Sequence, residues 1–142
     1  MNGSSGCQKG LIFLGGVEYK IDWQQMIGLK KRGMLSGAPL CKLCGDQEED
    51  ADHLFTGCYV AAVMWHKVSL WCKIQPIFAF SMKDLLEFYK TQPIEEPKKK
   101  YIQTIVLATC WSMWKARNEG ISNGKRENTY GIFVEMQANT FL

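Results

Sequence analysis

Four residues between positions 41 and 58 constrain this chain more than any other feature: Cys41, Cys44, His53 and Cys58 spell C-x2-C-x8-H-x4-C. Two thiolates on a tight turn can grip an ion from one side while a histidine and a third cysteine close it from the other, giving a four-ligand tetrahedron. The stretch 35–58 is too rich in glycine, charge and cysteine to form ordinary secondary structure, so its packing has to come from a metal. Soft sulfur and imidazole favour zinc over magnesium or calcium. Four protein ligands leave no position for a water nucleophile, so the expectation is one structural zinc ion, with no hydrolytic role.

Neighbouring residues agree with this reading. Gly45 follows the second cysteine, where the backbone must turn back toward the sulfur without a side chain in the way. Leu54 and Phe55, between His53 and Cys58, can cap the site against the helix that follows. The competing readings are a set of free or buried cysteines with an incidental histidine, and a redox Cys-x-x-Cys. The second lacks the strand-then-helix setting that such a motif uses. His66 falls beyond a complete ligand set and reads as a surface histidine. Cys7 reads as an exposed thiol, and Cys72 and Cys110 as small core residues.

The 142 residues suffice for one domain, or for a metal-nucleated lobe feeding a helical one. A formal net charge of +3 permits contact with nucleic acid without establishing it. No apolar signal segment precedes the cysteines, which points to a reducing compartment, nucleus or cytoplasm. No apolar run approaches the ~18 residues that a membrane helix needs. The most apolar stretch, 101–113, is interrupted by Gln103, Thr104, Thr109 and Ser112.

Local patterns predict a mostly helical chain, a small zinc-stapled turn followed by a packed set of three to four helices. Residues 11–14 read as a short strand or a loose start, and 24–34 as a short helix ending at Gly33. After Cys58, the residues Val60, Met64, Val68 and Trp71 recur at helical spacing, with Ala61, Trp65 and Cys72 widening the stripe. Beyond Pro76, Ser81 and Asp84 form an N-terminal capping pair for a helix carrying Leu85, Leu86, Phe88 and Tyr89. A longer helix is expected from about Lys98 to Asn118, with Ile102, Ile105, Val106, Thr109, Cys110 and Met113 on one side. The polar stretch 118–131 reads as a loop, and Ile132, Phe133 and Met136 as a last short helix.

These pieces, LKKRGM, CKLCGDQEEDADHLFTGC, VMWHKVSLW and WSMWKARNEGISNGK, occur in an order that resembles the zinc-binding domain of plant non-LTR (LINE-type) retrotransposon reverse transcriptases. The resemblance covers residues 24–126, between a poorly matched segment 1–23 and a C-terminal loop and helix at 127–142. It rests on Cys-Lys-Leu-Cys at 41–44, the acidic run with Glu49 and Asp50, His53-Leu54-Phe55, Cys58, and W-x-x-W-K-x-R-N at 111–118. The family usually has threonine where this chain has Asp50, a change that leaves the ligands intact. The resemblance implies a nucleic-acid-associated accessory module. The paired catalytic aspartates of a polymerase are missing from the chain, so no polymerase activity is expected of it alone. The poor fit of 1–23 suggests a truncated or re-spliced fragment.

RNA or DNA is the partner the resemblance implies; another protein, bound by the exposed side of the helices after Cys58, is the alternative, and a remnant without a role is a third. The cationic residues open to phosphate are Lys30, Lys31 and Arg32, with Lys115 and Arg117. Asp46, Glu48, Glu49, Asp50 and Asp52 should make the metal loop a surface that repels it. Trp65, Trp71, Trp111 and Trp114 stand at helical spacing and read as core rather than as stacking platforms. No Ser-His-Asp or Cys-His catalytic set and no small-molecule site is evident.

Overall fold

The computed structural model describes residues 9–14, 17–22, 40–123 and 128–141. The helix expected at 24–34, with Lys30, Lys31 and Arg32, lies outside the described residues, as does Cys7. The described chain is mostly helical. A two-stranded antiparallel hairpin, β1 (Lys9–Leu14) and β2 (Val17–Asp22), pairs Lys9 with Asp22 and Leu14 with Val17. A cysteine turn and a π-helical turn, His53–Gly57, follow, and then come α1 (Tyr59–Cys72), α2 (Met82–Thr91), α3 (Lys98–Asn123) and α4 (Thr129–Phe141).

The apolar stripe of α1 folds as its spacing predicts, burying Val60, Ala61, Met64, Trp65 and Val68, while Trp71 and Cys72 lie at the margin. The helix ends on Lys73, which adopts a left-handed φ of 54°, with Ile74 N–H reaching back to the Ser69 carbonyl. Ser81 caps α2 by accepting from Asp84 N–H at 3.2 Å, and Asp84 returns the contact by accepting from Phe80 N–H.

Helix α3 is the centre of the packing, since α1, α2 and α4 all lie against it. That explains its mixed sequence: a helix enclosed by three others is buried around much of its circumference, so no clean amphipathic stripe is required. Ile102, Val106, Cys110 and Met113 are buried together with Ala108 and Trp114 on other faces. Buried Thr109 satisfies its hydroxyl within the helix by donating to the Ile105 carbonyl.

Two boundaries differ from the sequence expectation. Residues 118–123, read as loop, continue α3. Extending a helix that is already nucleated adds one hydrogen bond per residue, which offsets the ~1 kcal/mol cost of Gly120. At the other end, α4 begins at Thr129 because Asn128 caps it, its side-chain oxygen accepting from Gly131 N–H at 2.7 Å. Ile132 and Met136 then enter the same core as Met64, Leu85 and Met113. Each such fully buried side chain contributes roughly 1.5–3 kcal/mol relative to exposure.

Candidate metal centre

The cysteine turn closes on itself before any ion is considered. Gly45 N–H donates to the Cys41 carbonyl at 2.7 Å, and Gly45 takes a φ of 71°, the left-handed conformation for which glycine is suited. Cys41 N–H donates to the Gln47 carbonyl, and Leu40 bridges Glu48 in antiparallel fashion, so a small knuckle presents both cysteines on one side.

His53 and Cys58 are brought together by the π-helical turn. Five residues of α-helix rotate through about 500°, which would leave the two side chains roughly 140° apart. Here Cys58 N–H donates to the His53 carbonyl, an i to i+5 closure that makes five residues close to one full turn. Leu54 and Phe55 of that turn are completely buried in the core, and the buried indole of Trp65 holds the turn by donating to the Phe55 carbonyl at 2.7 Å. Cys58 is also the N-cap residue of α1, where helix amides favour a thiolate.

The four ligand atoms lie within 4.8 Å of one another, and among the described residues they form the one such group of His, Cys, Asp and Glu side chains. Two thiolates on a tetrahedral ion with ~2.3 Å bonds stand ~3.8 Å apart, and a thiolate and an imidazole nitrogen ~3.6 Å apart. The Cys41 and Cys58 sulfurs are 3.8 Å apart, and Cys44 Sγ lies 3.4 Å from His53 Nε2. The residues present therefore fit one four-coordinate ion. Cys41 and Cys58 are buried, Cys44 and His53 half-buried.

The two buried sulfurs are joined by a hydrogen bond. The hydrogen bond with Cys58 lowers the Cys41 thiol to about 5, against the effect of burial and with help from the amides of Leu43 and Cys44. The same bond, then burial, pushes the Cys58 thiol up. None of the five described cysteines is in a disulfide.

Three carboxylates of the acidic run around the knuckle also hold the fold together. Glu49 is buried: one carboxylate oxygen accepts from Lys42 N–H at 3.0 Å, and the other accepts from Arg117 Nε and Nη2 at 2.9 and 2.6 Å. Asp50 accepts from His53 N–H at 2.7 Å, orienting the ligand's backbone. Asp52 accepts from Met82 N–H at 2.9 Å and ties the start of α2 to the metal loop. Asp46, Glu48 and Asp52 are exposed.

Arg117, offered by the sequence as a phosphate contact, is placed in the interior face of the knuckle, with its guanidinium over the Trp114 ring at 5.0 Å. Lys115 pairs with Glu135 of α4 and lies 3.9 Å from Glu119. His66 is exposed, as expected, and Trp65 and Trp114 are buried, with Trp71 and Trp111 partly so. Sequence reasoning passed over Glu49 and the indole of Trp65 as supports of the site. Their signal was weak, one carboxylate among five and one tryptophan in an apolar stripe.

Comparison with protein-family models, curated proteins and solved structures finds no match to this chain. Among the described residues no helix is long and apolar enough to cross a membrane.

Proposed function

We propose that the chain is a zinc-stapled, non-catalytic module, akin to the zinc-binding domain of plant non-LTR retrotransposon reverse transcriptases and associated with nucleic acid in that setting. The observation that carries the zinc reading is the convergence of the Cys41, Cys44, His53 and Cys58 ligand atoms within 4.8 Å of one another, with the Cys41–Cys58 and Cys44–His53 pairs near tetrahedral spacing. Three sulfurs and one imidazole suit zinc, and a four-ligand shell makes it a cross-link with no site for substrate. The bound ion's contribution is to join the knuckle, the π-turn and the first turn of α1.

What supports the kinship is that its two separated motifs explain each other. Arg117 of W-x-x-W-K-x-R-N closes on Glu49 beside the Cys-x-x-Cys, so the later motif clasps the earlier one.

With Lys115 and Arg117 engaged, the phosphate-facing surface belongs at the opposite end of the bundle. α1 spans 14 residues from the metal, and Lys98 lies close enough to its last residue, Cys72, to draw that thiol's pKa down against the larger effect of burial. Lys73, Lys98 and Lys100 are exposed there, ~20 Å from the acidic knuckle by helix rise, with exposed Tyr101 beside them. Glu95 and Glu96 moderate this patch, so binding should be weak and salt-sensitive.

The test has two parts. Metal content by mass spectrometry should give one zinc per chain, lost in Cys44→Ser and His53→Ala. Fluorescence anisotropy with single-stranded RNA and DNA should show binding that weakens steeply with salt and is lost in Lys98→Glu with Lys100→Glu. Zinc without any oligonucleotide binding would keep the staple and remove the nucleic-acid role.

A further inference from the structure

The loop between α1 and α2 holds two phenylalanines in solvent. Phe78 is 79% exposed and Phe80 89% exposed, while Ile77 next to them is buried. The backbone between them is not loose. Ile77 N–H donates to buried Ser69 Oγ at 2.9 Å, Phe80 N–H donates to Asp84 at 3.0 Å, and Met82 N–H donates to Asp52. A loop pinned at three amides keeps both rings out of the core.

Phe78 is a ridge between two clefts. One, of about 280 Å³, is walled by Ala62, Trp65, His66 and Ile77 and is largely apolar. The other, of about 310 Å³, is walled by Asp84, Glu87 and Phe88 on one face of α2. Lys83 and Lys90 of the same helix lie off that face, so the second cleft is acidic. Pro76 and Phe78 line both, which makes the clefts neighbours across a single ring.

We propose that this surface docks a short basic and apolar peptide segment of another protein. A large apolar side chain fills the first cleft, a lysine or arginine enters the second against Asp84 and Glu87, and the segment crosses the face of Phe78, which itself attracts a cation. The charge selects the partner class: two carboxylates in the cleft oppose a phosphate backbone and favour a cationic side chain. Exposed aromatic rings on a rigid backbone suit an anchor role, since little conformational freedom is lost on binding. None of Lys73, Lys98 and Lys100 lines either cleft, and the docking does not depend on nucleic-acid binding at those lysines.

The test is selection of a phage-displayed random dodecapeptide library on the full zinc-loaded chain, followed by fluorescence polarisation with a synthetic peptide of the enriched sequence. The expected enrichment pairs a large apolar residue with a lysine or arginine a few positions away. Phe78→Ser should weaken the peptide at least about tenfold, and Glu87→Lys should shift enrichment toward peptides without a cation. Both side chains are exposed, so both variants should melt like the parent, and Lys98→Glu should bind the peptide unchanged. The proposal is overturned by an absence of enrichment, by a consensus lacking a basic residue, or by binding that survives Phe78→Ser. Competition by an oligonucleotide that is lost in Phe78→Ser, or a dimer lost in the same variant, would equally overturn it by naming a different occupant.

Discussion

Arg117, in the last third of α3, closes on the carboxylate of Glu49 at 2.6 Å across a separation of 68 residues. The Glu49 side chain is 2% exposed and that of Arg117 is 14% exposed. Breaking such a pair leaves unequal penalties, because a buried carboxylate stranded without a cation costs more than a guanidinium with an outlet to water. Arg117→Met is therefore expected to cost about 3 kcal/mol, and Glu49→Gln, which preserves an acceptor for Lys42 N–H, distinctly less. The double variant should cost less than the two together. Urea denaturation of the metal-saturated proteins measures all three; a cost under about 0.5 kcal/mol for Arg117→Met would mean that it behaves as a surface residue.

Metal binding should be inseparable from the stability of the knuckle. On the zinc reading, free zinc at 1,000 times its Kd stabilises the folded chain by about 4 kcal/mol over the metal-free form. His53→Ala removes the ligand on the π-turn and should abolish that increment, while Asp46→Asn, at an exposed knuckle position, should leave it intact. Thermal melts with and without a chelator provide the check, and an increment unchanged in His53→Ala would remove that residue from the ligand set.

Cys110 sets a pH dependence at the alkaline end. Complete burial pushes its thiol well above the usual value of 9.0. A folded-state pKa raised above the unfolded one gives stability that is fully present below pH 9 and declines as pH rises through the folded value. The unfolded chain releases this proton first, so stability should fall by about 1.4 kcal/mol per pH unit above pH 9 on account of this group. Cys110→Ala forfeits some packing at all pH values but lacks that slope. The difference between parent and variant should therefore shrink between pH 9 and 11 in denaturation experiments, and a constant difference would contradict the assignment.

What could be read from the sequence was what is local. The ligand spacing at 41, 44, 53 and 58 is dictated by metal chemistry, and the Ser81 cap by amides three residues away, so both were visible without a fold. The start of α4 at Asn128 was locally encoded too, yet the polar run around it obscured the cap. Glu49 and Arg117 were not legible, since each looks like any charged residue until two distant segments are set side by side. The same blindness hid the ion pairs that Lys115 and Arg117 make and the amides that Glu49, Asp50 and Asp52 hold. Phe78 and Phe80 gave the opposite difficulty: an apolar pair in a loop is indistinguishable in sequence from one that is buried.

A relay of three polar contacts joins the metal turn to the aromatic loop, and it yields the last prediction. Trp65 donates from its indole to the Phe55 carbonyl, and its own carbonyl accepts from the Ser69 hydroxyl at 2.7 Å, while Ser69 Oγ in turn accepts from Ile77 N–H. Ser69→Ala leaves the buried Ile77 amide without its acceptor, which costs about 1–3 kcal/mol and releases the loop's first pin. Trp65→Phe instead strands the Phe55 carbonyl and empties space beside the π-turn, with a comparable cost that falls on the metal side. The two should separate in hydrogen exchange. Ser69→Ala is expected to speed exchange at Ile77 while zinc affinity stays near that of the parent; Trp65→Phe should loosen the amide of Cys58 and weaken zinc binding. Equal effects of both variants on zinc affinity would show that the loop and the metal turn open as one unit, and the relay would then be a single cooperative element rather than two independently held ends.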